Sequence, residues 1–441
     1  MKITDFFNNE YIDQASYDNL RKISSLVDGQ KNSSRKILFT VLEKNIKDEI
    51  KVSQLNSKVA EYSEYLHGDL SSVIVNMAQN FTGTNNINLL HPEGSFGNRF
   101  SQVASAPRYI YTHKSKYFDN LFNKDDNNIL IQQTFEGNRI EPLFYVPTLP
   151  ILLLNGSEGV SSGYAQKILN RNPKKIIQYI KDYLNGKLKP NKNNSLEPYF
   201  EGFKGTVEQG DNHKQFLIKG TIERISSSKI RITEIPFYYE LKEYCTVLDD
   251  LEDKGLITSY KDKSENNEFK FEVTINSKIL IDLSDDEVLD RLKLIKKVTE
   301  NYTCMDESNK IIVLENVKEI LDHYIKIKLE YIKKRKDYQL ESIQEKIQVQ
   351  TSRFIFIKNI VDEILIINKR SKAEVEKDLE KIDKIIKVQD SFDYLLNMSL
   401  ISLTKERMEK LKEEIITLKE ELTQIENTSI EQMWLYDLSS F

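Results

Sequence analysis

Cysteine is nearly absent: 441 residues hold only two, Cys245 and Cys304, far apart and without partner spacing. That excludes a disulfide framework and a cysteine-built zinc site, and it fits a reducing compartment. No stretch of about 18 apolar residues occurs, so no transmembrane helix is expected. The N-terminal MKITDFFNNEYID has no charged region followed by an apolar run, so no signal peptide is expected either. An excess of positive charge is also missing: 63 Lys and Arg face 68 Asp and Glu, a formal net charge of −5. No global field draws nucleic acid to such a chain, so any such role must rest on local patches. The expected location is cytoplasmic.

One stretch lacks acid altogether. Gly94 to Phe118, GSFGNRFSQVASAPRYIYTHKSKYF, holds Arg99, Arg108, His113, Lys114 and Lys116 and no carboxylate. At its centre stand Pro107, Arg108 and Tyr109. A phenol, with an ordinary pKa of about 10, is a weak nucleophile. Nearby positive charge favours the phenolate and stabilises charge developing on a phosphodiester. Taken alone, Arg108-Tyr109 is a common dipeptide and Tyr109 is one of 22 tyrosines, and the bland reading wins. The rest of the chain changes that balance.

The length suggests two to four domains. With 39% hydrophobic and 30% charged residues, the composition suits long exposed helices. Ile37, Leu38, Val41 and Leu42 recur at helical spacing after Asn32-Ser33-Ser34, and helices are expected at Val52–Leu66 and Asp69–Phe81. Short helices with basic starts fit a helix-turn-helix or winged-helix unit, or an ordinary helical subdomain. From Ser161 to Asn194 eight basic residues, Lys167, Arg171, Lys174, Lys175, Lys181, Lys187, Lys189 and Lys192, meet one acid, Asp182. Such a segment is either a solvated helix face or a phosphate-contacting patch. Residues from about 198 to 280 alternate in the manner of antiparallel strands, with a helix over Tyr239–Asp253. Val317, Ile320, Tyr324, Ile327, Tyr331 and Tyr338 form one heptad-like seam, and Met408, Leu411, Ile415, Leu418, Leu422 and Ile425 a second. An insert at about 351–402, with Ile360, Ile364 and Ile366 as one apolar group, separates them. An antiparallel hairpin with a globular tip is expected, though a rod for dimerisation alone is compatible.

In order, these segments resemble the breakage-reunion part of type IIA DNA topoisomerases. Asp28-Gly29-Gln30-Lys31-Asn32-Ser33-Ser34-Arg35-Lys36 resembles the family's D-G-x-K-P-x-x-R-[RK] segment. Tyr65-Leu66-His67-Gly68-Asp69 resembles Y-x-H-G-[DE], and Asn76-Met77-Ala78-Gln79-Asn80-Phe81 extends it. Glu93-Gly94-Ser95-Phe96-Gly97 resembles the G-x-F-G turn, and Ala104-Ser105-Ala106-Pro107-Arg108-Tyr109-Ile110 the A-A-S-P-R-Y-I form around the cleaving tyrosine. Asn155-Gly156-Ser157-Glu158-Gly159-Val160 is similar to N-G-x-x-G-I. Asp393–Met398, Leu403–Arg407 and Trp434–Leu438 resemble the end of the eukaryotic-type core. Asn32 replaces the family proline, and Val160 the usual isoleucine.

The resemblance implies a mixed α and α/β multidomain fold. It comprises a winged-helix DNA-cleavage domain at 1–147, an α/β tower domain at 148–305, an antiparallel coiled coil at 306–430 with a helical gate at 351–402, and a tail at 431–441. It implies Tyr109, Arg108, Arg35 and His67 as catalytic residues. Lys31, Lys36, Arg99, Lys114, Lys116, Val160, Lys167, Arg171, Lys174 and Lys175 would contact double-stranded DNA, with Val160 as the wedge. No D-x-D-x-D-G run, E-G-D-S segment or nucleotide-binding glycine loop is present. Mg²⁺ and ATP are therefore expected on a partner ATPase subunit, with no metal site here, and the chain itself as a homodimer away from membranes. It would begin just before the winged-helix region, stop just after the coiled coil and lack a DNA-wrapping extension. At this length it most resembles the T-even bacteriophage-type medium subunit, with a eukaryotic-type viral core fragment second. The rivals are a non-catalytic DNA-binding coiled-coil architectural protein and a topoisomerase VI-like cleavage subunit.

Overall fold

A computed structural model describes residues 3–65, 67–188, 196–399 and 402–441. Leu66, Lys189 and Lys192 lie outside the described residues. The chain forms two compact units, one of Met1–Lys328 with Asp437–Phe441, the other Leu329–Tyr436.

In the first unit, three helices pack on one another: Asn32–Glu43, Val52–Tyr62 and Ser71–Ala78. Ile37, Leu38, Val41, Val52, Leu55, Val59, Leu70 and Ile74 are all buried. Each such side chain contributes about 1.5–3 kcal/mol by leaving water. The second helix ends earlier than its pattern predicts. Ser63 leaves the helix and Glu64 takes a positive φ of 51°, which turns the chain. The third is also shorter than expected. Asp69 accepts the amide of Ser71 at 2.9 Å, and Gln79 is extended. A helix over Ile12–Lys22 was not foreshadowed by any apolar stripe.

A three-stranded antiparallel sheet closes this subdomain, with Tyr111–Lys114 central between Ile50–Lys51 and Leu90–Glu93. Its register sets His91 opposite His113 and Glu93 opposite Tyr111. Contacts run across the expected boundary at 147: Gln166 bonds Ser24, and Asn86 bonds the carbonyls of Arg171 and Tyr199. Farther along, a four-stranded antiparallel sheet ordered Thr221–Ser226, Lys229–Glu234, Phe271–Thr274, Ser259–Asp262 carries the helix Leu241–Asp253. Ile230, Ile232, Tyr244, Leu248, Phe271 and Val273 form its core. Lys229–Glu234 and Phe271–Thr274 alternate in burial as their sequence predicts.

A 45-residue helix, Val317–Val361, extends past the point where the insert was expected to start. In the second unit, Lys336 donates to the carbonyls of Glu426 and Thr428, which sets this helix near residue 336 beside the end of Lys405–Asn427. On the latter helix Leu411 is buried, and Met408, Ile415, Leu418, Leu422 and Ile425 are half-buried. A small core of Phe356, Leu365, Val375, Leu379, Phe392 and Leu395 holds the tip. Ile364 and Ile366 do not join it. They flank buried Leu365 and point to solvent. No described helix is long and apolar enough to cross a membrane.

Arg171 is 0% exposed and donates to Glu300 at 2.6 Å, while Glu300 also accepts from Leu169 N and Tyr302 Oη. Arg171→Met leaves a buried carboxylate without its cation. The expected loss is about 3–5 kcal/mol in urea unfolding; a loss under about 1 kcal/mol would contradict this reading of the pair.

Candidate functional site

Tyr109 ends a tight turn. Its amide donates to the carbonyl of Ala106 at 2.9 Å, and the strand Tyr111–Lys114 begins two residues later. The first residues of the helix Val52–Tyr62 face this turn. Val52 N donates to Ile110 O at 3.0 Å and Ser53 N to Pro107 O at 3.2 Å. These are helix-start amides that would otherwise lack partners. Ile110 is 1% exposed, whereas Tyr109 is 66% exposed. The Arg108 guanidinium lies 4.8 Å from the Tyr109 ring centroid, and both side chains face water. Among the described residues, none bonds the Tyr109 hydroxyl.

The loop before the turn is held from both sides. Gln79 Nε2 donates to the carbonyls of Phe96 and Gln102, and Arg99 donates to those of Ile235 and Tyr239. Gly97 has a φ of +88°, and a Cβ there would stand 2.6 Å from Gln102 O, so this position requires glycine.

Val160 sits at the end of a hairpin, Ser157–Val160 with Ala165–Ile168, and is 72% exposed. Neighbouring elements brace that hairpin. Lys31 Nζ donates to Glu158 O at 2.6 Å, Ser162 N and Oγ donate to Asp18, and Ser161 Oγ donates to Asn19. Burial holds the Lys31 ammonium below the ordinary lysine range. At Gly159 a Cβ would meet Lys22 O at 2.1 Å, so the hairpin lies directly on the end of the helix Ile12–Lys22.

His67 is exposed and shares a 2.6 Å hydrogen bond with Tyr17 Oη, with Tyr65 edge-on at 5.7 Å. It lines a cleft of about 750 Å³ with Tyr17, Arg21, Lys22 and Asp69. Arg108 and Tyr109 do not line that cleft. One chain therefore does not gather Tyr109 and His67 into one pocket. Tyr17, Arg21 and Lys22 escaped the sequence reading, because their helix carries no apolar stripe to announce it.

Five of the basic residues nominated from sequence are buried and hold partners within the chain. Arg35 donates to both oxygens of Asp28, at 2.7 and 3.1 Å, inside the core. Lys36 donates to Glu141 at 2.9 Å and to Ser63 O at 2.5 Å. Arg99 is caged as described, with Glu234 at 3.6 Å. Lys114 meets Asn45 and Asp119 at 3.0 Å, and Arg171 meets Glu300. Moving Arg35, Lys36 or Arg171 to a phosphate would leave a buried carboxylate unpaired, whereas the partners of Lys114, Asn45 and Asp119, are exposed. Lys31 and Lys167 are half-buried, and Lys167 lies 3.2 Å from Glu158. Lys116, Lys174 and Lys175 are exposed, the last two in the first turn of the helix Pro173–Leu184, whose start Asn172 caps.

The profile of the DNA gyrase/topoisomerase IV A-subunit family matches residues 21–439. The chain belongs to that family. It is 36% identical to the mitochondrial DNA topoisomerase 2 of Dictyostelium discoideum, over 98% of this chain and 34% of that protein. It is 33% identical to DNA topoisomerase 2 of Plasmodium falciparum, again over 98% of this chain and 34% of that one. The chain thus spans about a third of the length of these curated relatives. Its fold is similar to the crystal structure of the Plasmodium falciparum topoisomerase II DNA-binding, cleavage and re-ligation domain. That match has a TM-score of 0.88 at 32% identity, covering 99% of this chain and 63% of the other.

If exposed Lys174 and Lys175 contact duplex DNA, changing both to Gln is expected to lower the slope of log affinity against log salt by about 1–2. An unchanged slope in a binding titration would remove both from the interface.

Proposed function

We propose that this chain is the DNA breakage-rejoining part of an ATP-dependent type IIA topoisomerase, with Tyr109 as nucleophile. The observation that carries the reading is an exposed phenol beside a guanidinium, on a turn anchored by a helix start. The phenolic oxygen attacks a backbone phosphorus. The bond from Tyr109 Oη to phosphorus forms and the bond from phosphorus to the 3′ oxygen breaks. The tyrosine proton leaves to a base, and the departing oxygen takes up a proton as a free 3′-hydroxyl. The product is a 5′-phosphotyrosyl link. One phosphoester replaces another, so rejoining needs no added energy. Arg108 stabilises charge on the phosphoryl oxygens. His67, accessible and oriented by Tyr17, suits hydrogen bonding to the phosphate or movement of the proton. Burial of Arg35 against Asp28 supports a positioning role, holding the Asp28–Lys36 segment, rather than phosphate contact.

Mg²⁺ prefers all-oxygen ligands. The acid-free Gly94–Phe118 segment does not fit it. In this reading Mg²⁺ and ATP are bound by an acidic, ATP-hydrolysing partner subunit, and this chain acts in the manner of the T-even bacteriophage medium subunit. In this reading residues 1–147 are a winged-helix cleavage domain, 148–305 a tower, 306–430 a coiled coil carrying a gate at 351–402, and 431–441 a tail. Two copies pair through the coil and gate, and their two tyrosines cut opposite strands so that one duplex passes through the other. Two free cysteines support work in a reducing cytoplasm. Val160, exposed on a braced hairpin, wedges between base pairs, and lysine contacts offset a bending cost of about 1–6 kcal/mol.

Tyr109→Phe leaves DNA affinity within about twofold and abolishes detergent-trapped covalent adducts in the presence of the partner and Mg²⁺; adducts formed by that variant would refute the assignment. Val160→Ala reduces the bend read by energy transfer between end-labelled fluorophores. An unaltered bend would remove Val160 as the wedge.

A further inference from the structure

His91, Glu93 and His113 are separated by up to 22 positions, and none belongs to a recognisable metal motif. The sheet brings them together. His91 and Glu93 are two apart on one strand and so share a face, and His113 is the register partner of His91 on the next. One potential ligand atom from each lies within 4.8 Å of the other two. His91 Nε2 and Glu93 Oε1 are already 3.1 Å apart, and the imidazole centroids are 4.8 Å apart. We propose that these three residues bind one Zn²⁺ ion across the two strands.

Two imidazoles and a carboxylate are a zinc donor set rather than a magnesium one. Zinc bonds of about 2.0–2.2 Å in a tetrahedron hold ligand atoms roughly 3.4 Å apart. Small rotations of the side chains close the remaining gap, and half-exposed His91 and Glu93 are free to make them. The backbone needs no change, because the ladder already fixes it. A second observation concerns His113. Its Nδ1 lies 2.8 Å from the carbonyl of Lys114. A donor at Nδ1 leaves the Nε2 lone pair bare, which is the usual way a backbone carbonyl orients a zinc-binding imidazole. Thr112 Oγ1 donates to His91 O at 2.8 Å and further ties the strands. The fourth position is open to water. The ion would clamp the strand entering the Gly94 loop to the strand leaving Tyr109. This inference does not depend on the transesterification reading.

The test uses the full chain stripped with chelator and titrated with Zn²⁺ by calorimetry and with Co²⁺ by its ligand-field absorption. The expected result is one ion per chain, a tetrahedral Co²⁺ spectrum displaced by Zn²⁺, and no competition from Mg²⁺. The His91→Gln/His113→Gln variant should bind at least tenfold more weakly. Glu93→Gln, nearly isosteric, gives the same direction if the double variant misfolds. His323→Gln, altering the other histidine paired with a carboxylate, Glu307, leaves binding intact. Absence of binding to the unaltered chain would overturn the proposal. So would equal affinity in Glu93→Gln, or loss of binding in His323→Gln.

Discussion

The site depends on how the turn that ends at Tyr109 is anchored. Ile110, the next residue, is sealed in the core at 1% exposure, while Tyr109 at the end of the turn faces water. The anchor works only because the backbone around it is held. The first amides of the helix Val52–Tyr62 take the carbonyls of Pro107 and Ile110, and the sheet takes the strand that follows. A phenol on a free loop would sample many directions. Here two structural elements define one, and Arg108 lies over the ring in that same direction.

A second level of order comes from buried ion pairs. Lys36 with Glu141 and Arg171 with Glu300 join segments that are distant in the chain, and Arg35 with Asp28 ties the two ends of the Asp28–Lys36 segment. Asp28 also accepts the amide of Tyr145, so a single carboxylate ties the Asp28–Lys36 segment to residues near 145. Such pairs add little net stability over an apolar substitute, but removing one partner is costly. Of the basic residues nominated for the site from sequence, Arg108, Lys116, Lys174 and Lys175 are open to solvent.

Much of the architecture was readable in advance, for physical reasons. Ile37, Leu38 and Val41 announced their helix because one face of a 3.6-residue repeat had to be buried, and Ile230 to Ile232 announced a strand by alternation. The ordered motifs singled out Tyr109, which the fold leaves exposed. The fate of the basic residues was not readable. Lys36 and Glu141 are 105 positions apart, and Arg171 and Glu300 are 129 apart. No local pattern tells a caged arginine from a solvated one. The histidine pair was invisible for the same reason, since register, not spacing, sets His91 against His113. The helix Ile12–Lys22 was missed because it buries little: Asn19 is its only buried residue.

The central claim is that one phenolic oxygen, that of Tyr109, becomes bonded to DNA phosphorus. The most direct measurement combines the chain with an ATPase partner bearing the acidic domain, Mg²⁺ and end-labelled duplex. Detergent traps the covalent complex, protease trims it, and mass spectrometry maps the modified peptide. The account predicts a nucleotide joined through its 5′ phosphate to Tyr109 within Ala104–Tyr111. A nucleotide on any other residue, or one joined through a 3′ phosphate, would contradict it.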